Sequence, residues 1–479
     1  MRRRTLLQSL AIGLTTGAIT PLLGRAQDTR GYMRLFQGPM VGATTPTSIS
    51  LWMRAANAAD LVVEYGTDPT LATFTATSPV AVSAAEDYTA TINLRGLLPS
   101  TTYFYRVKVG GDEDRYLGAK PPFAVRTPPP AGAKGRLRIA FGSCARVQAH
   151  PEQPVWDAVK DADPDLFLWL GDNVYHDTLE PRIMDEMWRW QRRVPGLERF
   201  QRHVSQLAIW DDHDYALNNS DRTNPVKELA LASFKRHWAN PAYGLPGAPG
   251  VFFRHAVGDV ELFMLDGRWN RAPAREPDGP GKTKLGAAQK AWLLQGLKAS
   301  RATFKIIAAG GGWTVAKGPA GDAWSAFMTE RNEIFDFIAR EGVTGVVLLS
   351  GDTHVGELNA IPWSDRGGYD LYELVSSPLA QDRRTSWLER RPELRMREVY
   401  VGDNNFGVID VDTTKPDPTI TLNLMDTRGN AVWSPLTLAL SDLRPGVRSW
   451  ERKIGALSRD RLRQVQEGKD YYHPDLRRD

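Results

Sequence analysis

The sequence predicts an α/β domain of mixed β-sheets flanked by helices, preceded by a small all-β sandwich. Three observations predict it. Between residues 34 and 126, short runs alternate apolar and polar residues with a period of two and are rich in β-branched and aromatic side chains. Beyond residue 135 the rhythm changes to near-continuous apolar runs, the pattern of strands buried on both faces, separated by amphipathic stretches. Between the two lies Thr127-Pro128-Pro129-Pro130-Ala131-Gly132, a proline-rich spacer expected to be short and stiff. A length of 479 residues suits two to three domains, and 42% hydrophobic with 24% charged residues excludes a disordered or fibrous chain. Cys144 is the only cysteine, so no intramolecular disulfide can form.

Residues 1–26 read as a removable export segment. Arg2-Arg3-Arg4-Thr5-Leu6-Leu7-Gln8 precedes a mild apolar run over 10–23, broken by Gly13, Gly17 and Pro21, and Gly24-Arg25-Ala26 supplies small residues for cleavage. The arginine run resembles the twin-arginine motif, which implies the twin-arginine export machinery as a partner and a periplasmic or secreted protein in a bacterium. The alternative is a general secretory peptide that happens to carry three arginines. Nowhere do 18 apolar residues run together, so no stable membrane span is expected. The formal charge of +4 is carried entirely by the four arginines of this segment, so charge gives no reason to expect a nucleic-acid partner.

Residues 30–127 form the first expected domain, with strands over 48–53, 61–65, 88–94 and 103–109. The stretch Leu94-Arg95-Gly96-Leu97-Leu98-Pro99-Ser100-Thr101-Thr102-Tyr103-Phe104-Tyr105 resembles the entry into a late strand of fibronectin type III modules. That resemblance implies an immunoglobulin-like sandwich with a tyrosine bonded back to the backbone at the corner.

Residues 135–445 form the second. Apolar runs over 137–141, 166–170, 207–210, 261–265, 304–308 and 346–349 predict buried strands, and 155–160, 227–238, 287–299 and 323–340 predict helices. Residues 407–412 and 419–424 read as a closing pair of strands. Residues 446–479 are charged and read as a surface helix with a loose tail. The cluster Trp188-Arg189-Trp190-Gln191-Arg192-Arg193 fits either a substrate-facing rim or, with more weight, a helix with a buried indole edge and a solvated basic face.

Side chains able to bind metal follow the apolar runs. They are Gly142-Ser143-Cys144, Gly171-Asp172-Asn173-Val174-Tyr175, Asp211-Asp212-His213-Asp214 and Ser350-Gly351-Asp352-Thr353-His354. In α/β folds ligands bind beyond the carboxyl ends of the strands, so the four groups converge if the strands are neighbours. Converging carboxylates repel one another unless a multivalent cation lies among them. Taken singly each residue has a plainer reading: Cys144 as an inert core thiol, Tyr175 as a core aromatic, His213 as a structural histidine, Asp211 and Asp214 as caps. Together they divide by chemistry into a thiolate, phenolate and imidazole suited to a transition metal, and carboxylates and an amide suited to a harder cation.

On these motifs the chain resembles the metallophosphatases, and within them the alkaline phosphatase D family of exported enzymes. The resemblance runs over nearly the whole chain and implies a metallophosphatase sandwich behind the fibronectin-like domain. It implies an Fe³⁺ held by Cys144, Asp172, Tyr175 and His354. Asp172 would bridge to a second site, calcium in relatives, completed by Asp212, Asp352 and Asn218 or Asn219. His213 would protonate the departing alcohol or stabilise the transition state. Arg268, in Asp266-Gly267-Arg268, would orient phosphate through its planar fork, the plainer alternative being an ion pair. Two departures stand out. Tyr215 is followed by Ala216 and Leu217 where the family often has glycine, and the run over 304–308 leads into Ala309-Gly310-Gly311-Gly312-Trp313, where many relatives place a polar or histidine ligand. The second metal is therefore expected to be less fully coordinated.

The implied activity is metal-dependent hydrolysis of phosphate monoesters or diesters by a metal-activated water. A phosphodiesterase or phospholipase D-type hydrolase is the neighbouring alternative, and a catalytically inactive binding module the remote one.

Overall fold

The computed structural model describes residues 34–114, 120–318, 321–386 and 391–466; the expected export segment, residues 1–26, and residues 467–479 of the tail lie outside the described residues. The first domain contains β1 (Leu35–Thr45), β2 (Ser48–Ala55), β3 (Ala59–Gly66), β4 (Thr75–Ala76) and β5 (Val80–Val82). It continues with β6 (Thr89–Arg95), β7 (Thr102–Val109), β8 (Asp112–Glu113) and β9 (Phe123–Arg126). Two antiparallel sheets form, in the orders β1-β2-β6 and β4-β3-β7-β8, with β5 added on β3 and β9 on β7. The period of two is visible in β7, where Tyr103, Tyr105, Val107 and Val109 face the core and the residues between them are partly exposed. At the corner the Leu98 N–H donates to the Tyr103 hydroxyl at 2.9 Å.

The second domain is built on β10 (Arg136–Gly142), β11 (Leu166–Leu170), β12 (Ser205–Ile209), β13 (Phe253–Val257), β14 (Val260–Met264), β15 (Phe304–Ala308) and β16 (Val346–Ser350). It is completed by β17 (Glu357–Ile361), β18 (Leu371–Val375), β19 (Leu394–Arg395), β20 (Asn405–Asp412), β21 (Thr419–Asp426) and β22 (Leu436–Ala439). One sheet runs β12-β11-β10-β20-β21-β22 and the other β13-β14-β15-β16-β18-β17-β19. β10, β11 and β12 are parallel, with Phe141 beside Leu168 and Leu168 beside Leu207. β14, β15, β16 and β18 are parallel in the second sheet. Both are mixed sheets, and the short parallel strands are buried along their whole length, as near-continuous apolar sequence requires. Helices Val155–Asp161, Pro181–Gln191, Pro195–Gln201, Lys227–His237, Gly286–Ala299 and Met328–Arg340 connect the strands.

Three details refine the sequence expectation. The helix expected over 323–340 begins at Met328. Its front is a separate 3₁₀ turn, Trp324–Ala326, whose indole stacks on Trp313 with centroids 4.4 Å apart. Beside the proline spacer the domains touch directly: the Ala43 N–H donates to Ala239 O at 2.8 Å and the Ser205 hydroxyl to Gly42 O at 2.7 Å. The tryptophan–arginine cluster buttresses this contact. Helix Pro181–Gln191 buries Trp188, and the Arg192 guanidinium, just past it, lies 4.1 Å from the Trp238 ring centroid and 5.3 Å from that of Trp52. Finally, the charged C-terminal region begins with docked structure. The Ser449 N–H donates to Asp370 at 2.6 Å, and helices Trp450–Lys453 and Ala456–Gln466 follow.

Candidate metal centre

The four polar motifs meet where β10, β11, β12 and β16 end. The chain reverses so sharply there that Cys144 (φ 61°), Asp172 (φ 50°), Asp352 (φ 70°) and His354 (φ 57°) all adopt left-handed backbone. For residues other than glycine this costs on the order of 1 kcal/mol each and tends to mark sites where side-chain placement matters more than backbone ease. Ser143 ties two of the turns together, accepting the Asp352 N–H at 3.2 Å and donating to Ser376 O at 3.1 Å. A Cβ added to Gly351 would lie 2.2 Å from that serine oxygen, so only glycine lets the two turns come this close.

Two groups of donors result, and Asp172 belongs to both. Donor atoms of Cys144, Asp172 and His354 lie within 4.8 Å of one another, as do those of Asp172, Asp212 and His213. In the first group the Cys144 sulfur and the Tyr175 hydroxyl each stand 3.3 Å from Asp172 Oδ2, and Tyr175 is 3.2 Å from His354 Nε2. In the second, the His213 ring is packed 4.2 Å from the Tyr175 ring, with its Nδ1 hydrogen-bonded to Asp177. Asp214 supports both loops from below, accepting the N–H groups of Val174 and Asp211 at 3.0 Å each.

The electrostatics fit a cation. Burial pushes the Cys144 thiol, the Asp172 carboxyl and the Tyr175 phenol up, and the charges of Cys144 and Asp172 raise the phenol further. Burial, helped by Arg384, holds His354 down at about 3, so its imidazole is neutral and its lone pair available. Three donors that need a positive neighbour to ionise, beside one that is already neutral, make a set that metal binding would deprotonate. The donor set therefore fits the implied group. For His213, burial opposes protonation, but Asp172, Asp177 and Asp212 outweigh it and hold the ring up at about 10.

The remaining expected residues take distinct places. Asp352 lies beside this cluster, but its carboxylate is paired with Lys317, which also contacts Asp322. Asn218 is exposed in the loop after Tyr215; the contact to the site comes from Asn219, whose N–H donates to Asp212 Oδ2 at 2.6 Å. Arg268 takes the ion-pair alternative. It is fully buried, bonded to Asp211, 2.7 Å from Asp322 and 3.4 Å from Asp212, which leaves no solvent-facing edge for a phosphate. Sequence reasoning missed Lys317, Asp322, Asp177 and Arg146. The Arg146 guanidinium lies 5.6 Å from the Tyr175 ring centroid and its buried Nε has no hydrogen-bond partner. Its position two residues after Cys144 was the available signal; Lys317 and Asp322 offered none, since a tertiary contact alone brings them in.

Known proteins resemble this chain in sequence and in fold. The PhoD-like phosphatase family matches residues 139–417, and the family of PhoD-like phosphatase N-terminal domains matches residues 23–120. Alkaline phosphatase D of Bacillus subtilis (strain 168) is 25% identical over 310 residues, covering 54% of this chain and 52% of that protein. The chain thus spans about half the length of this curated relative. A structure of PhoD superposes with a TM-score of 0.72 at 18% identity, over 92% of this chain and 99% of that one. A purple acid phosphatase from yellow lupin (Lupinus luteus) seeds superposes with a TM-score of 0.59 at 11% identity, over 88% of this chain and 76% of that one. At these identities the superpositions show a shared fold: an α/β phosphatase architecture behind an all-β N-terminal domain.

Proposed function

The chain belongs to the PhoD-like phosphatase family, and on that premise we propose that it is an exported, metal-dependent phosphoric ester hydrolase acting on phosphate monoesters, diesters or both. The observation that carries this reading is the sharing of Asp172 between two donor groups, because one carboxylate between two cations makes a clamp for a phosphoryl group. Cys144, Asp172, Tyr175 and His354 would hold Fe³⁺, since a thiolate, a phenolate and an imidazole favour a transition metal over calcium or magnesium. Asp172 and Asp212, with the neighbouring Asp352 and the loop at Asn218 and Asn219, would hold the harder second cation, calcium in this reading. Bound there, the cations would lower the pKa of a water and polarise the phosphoryl oxygens.

The chain's own residues do the rest. Asp177 fixes His213 through Nδ1, which leaves Nε2 to carry a proton to the departing alkoxide. Asp177, which is not among the metal-binding residues, favours the protonated ring through its hydrogen bond and its charge. Arg268 holds Asp211, Asp212 and Asp322 in position and does not touch phosphate. The half-buried Arg146, beside Tyr175, is the guanidinium placed to meet an anionic ester. Among the described residues no helix is long and apolar enough to cross a membrane. Export by the twin-arginine machinery to the periplasm or beyond rests on the Arg3-Arg4 motif.

The test is metal analysis and turnover on natively exported protein. Iron near one per chain, a phenolate-to-iron colour, and hydrolysis of an aryl monoester or diester are expected, with iron and activity both lost in Cys144→Ala. A colourless, iron-free protein, or a Cys144→Ala variant with unchanged activity, would overturn the reading.

A further inference from the structure

The second site is where the chain's own charges crowd in. β15 leads into Ala309-Gly310-Gly311-Gly312, and a Cβ on Gly310 would sit 2.7 Å from the Asp211 carboxyl carbon, so no ligand can project from that position. The chain instead runs on into the 3₁₀ turn Val315–Lys317, which carries an ammonium group back to the site. Lys317 Nζ contacts one oxygen of Asp352 and one of Asp322. Its side chain is 16% exposed, Asp352 10% and Asp322 1%, so the contacts are largely shielded from water. Arg268 then continues the chain of charges from Asp322 to Asp211 and Asp212. Asp172, which both donor groups share, differs: among the described residues no lysine or arginine forms an ion pair with it.

We propose that Lys317 is a resident cation of the second site, standing between Asp352 and Asp322 where a divalent ion would otherwise draw them together. The protein then keeps one tightly bound metal, at Cys144, Asp172 and His354, and takes a second cation only in competition with the lysine. This rests on the dinuclear reading above and deepens it by saying which site is filled permanently. The physical reason is charge and desolvation. An ammonium is a compact single charge with three donors, and it satisfies two carboxylates without further ligands. A divalent ion binding Asp352 must push Lys317 off that carboxylate in a site that water barely reaches, and affinity falls accordingly.

The experiment uses full-length, iron-loaded protein washed with a calcium chelator and titrated with Ca²⁺ by calorimetry, with Tm followed alongside. Wild type and Lys317→Arg should bind Ca²⁺ weakly, with no rise in Tm below millimolar concentrations. Lys317→Gln should bind at least tenfold more tightly, and its Tm, depressed in calcium-free buffer, should recover as Ca²⁺ is added. Tight binding by wild type, or a Lys317→Gln variant that binds no more tightly than wild type, overturns the proposal. Should Lys317→Gln fail to fold, metal counting on chelator-washed wild type decides: one retained metal per chain supports the assignment and two overturn it. Loss of the iron itself would refute the hydrolase reading, a distinct result from tight calcium binding beside intact iron.

Discussion

Replacing Arg268 with alanine separates two roles that one residue could have. The guanidinium is fully buried and meets Asp211, Asp212 and Asp322, whose side chains are 2%, 4% and 1% exposed. Deleting it takes the ion-pair partner from Asp211 and Asp212 and leaves Asp322 with Lys317 alone, and breaking a buried pair in this way costs about 3–5 kcal/mol. In a domain of this size each kcal/mol lowers Tm by about 2 °C, so a fall of roughly 6–10 °C is expected. The assay is a thermal melt of the metal-loaded protein with and without inorganic phosphate, together with the inhibition constant for phosphate at a temperature where the variant is folded. Phosphate affinity should change little, and Arg268→Lys should recover part of the Tm because it restores charge without the fork. A variant with near-normal Tm but much weakened phosphate inhibition would refute the ion-pair assignment and restore Arg268 to the substrate.

Three further outcomes follow from other parts of the molecule. Gly351→Ala would drive a methyl against Ser143, at a cost of about 1–3 kcal/mol, and displace the adjoining Cys144 turn; iron per chain should fall, and unchanged iron with unchanged Tm would show that the close approach is dispensable. Burial holds His237 and His255 down at about 4, against an ordinary value near 6.5, so the folded protein binds these protons less readily than the unfolded chain. Their contribution is complete above pH 6.5 and is lost as pH falls towards 4, on the order of 3 kcal/mol each, and a Tm that stays flat from pH 6.5 to 4.5 would contradict this. Replacing Arg3 and Arg4 together with lysine should leave the protein in the cytoplasm of its host, and normal appearance in the periplasmic fraction would instead favour the general secretory route.

Much of this was legible from the strands. A run such as Leu166-Phe167-Leu168-Trp169-Leu170 can only be buried on both faces, and Asp172 just beyond it can only stand at the rim. Tyr103 was readable for a similar reason, since the turn before it fixes where the hydroxyl can reach. What escaped was set by contacts between distant segments. Glu357–Ile361 and Leu371–Val375 carry acids among their apolar residues, and Glu373 is tolerated in the core because Ser350 Oγ and the Trp313 N–H donate to it at 2.6 Å each. Asn218 and Asn219 are alike in sequence, and only the loop's path decides that the second of them reaches Asp212. Lys317 lies in a glycine-rich stretch without periodicity, so its partners appear only once the two sheets have come together.

β12 is the outermost strand of its sheet, and the first domain lies along it, with Gly42 so near Ala239 that even a methyl group would collide. An uncovered strand of this kind is a template for sticking to other copies. The amino-terminal sandwich thus works as a built-in guard rail, and shortened versions that begin at residue 135 would be left with an adhesive flank. The two halves are best thought of as a single unit of inheritance and of engineering, to be moved between hosts or fused to other proteins only together.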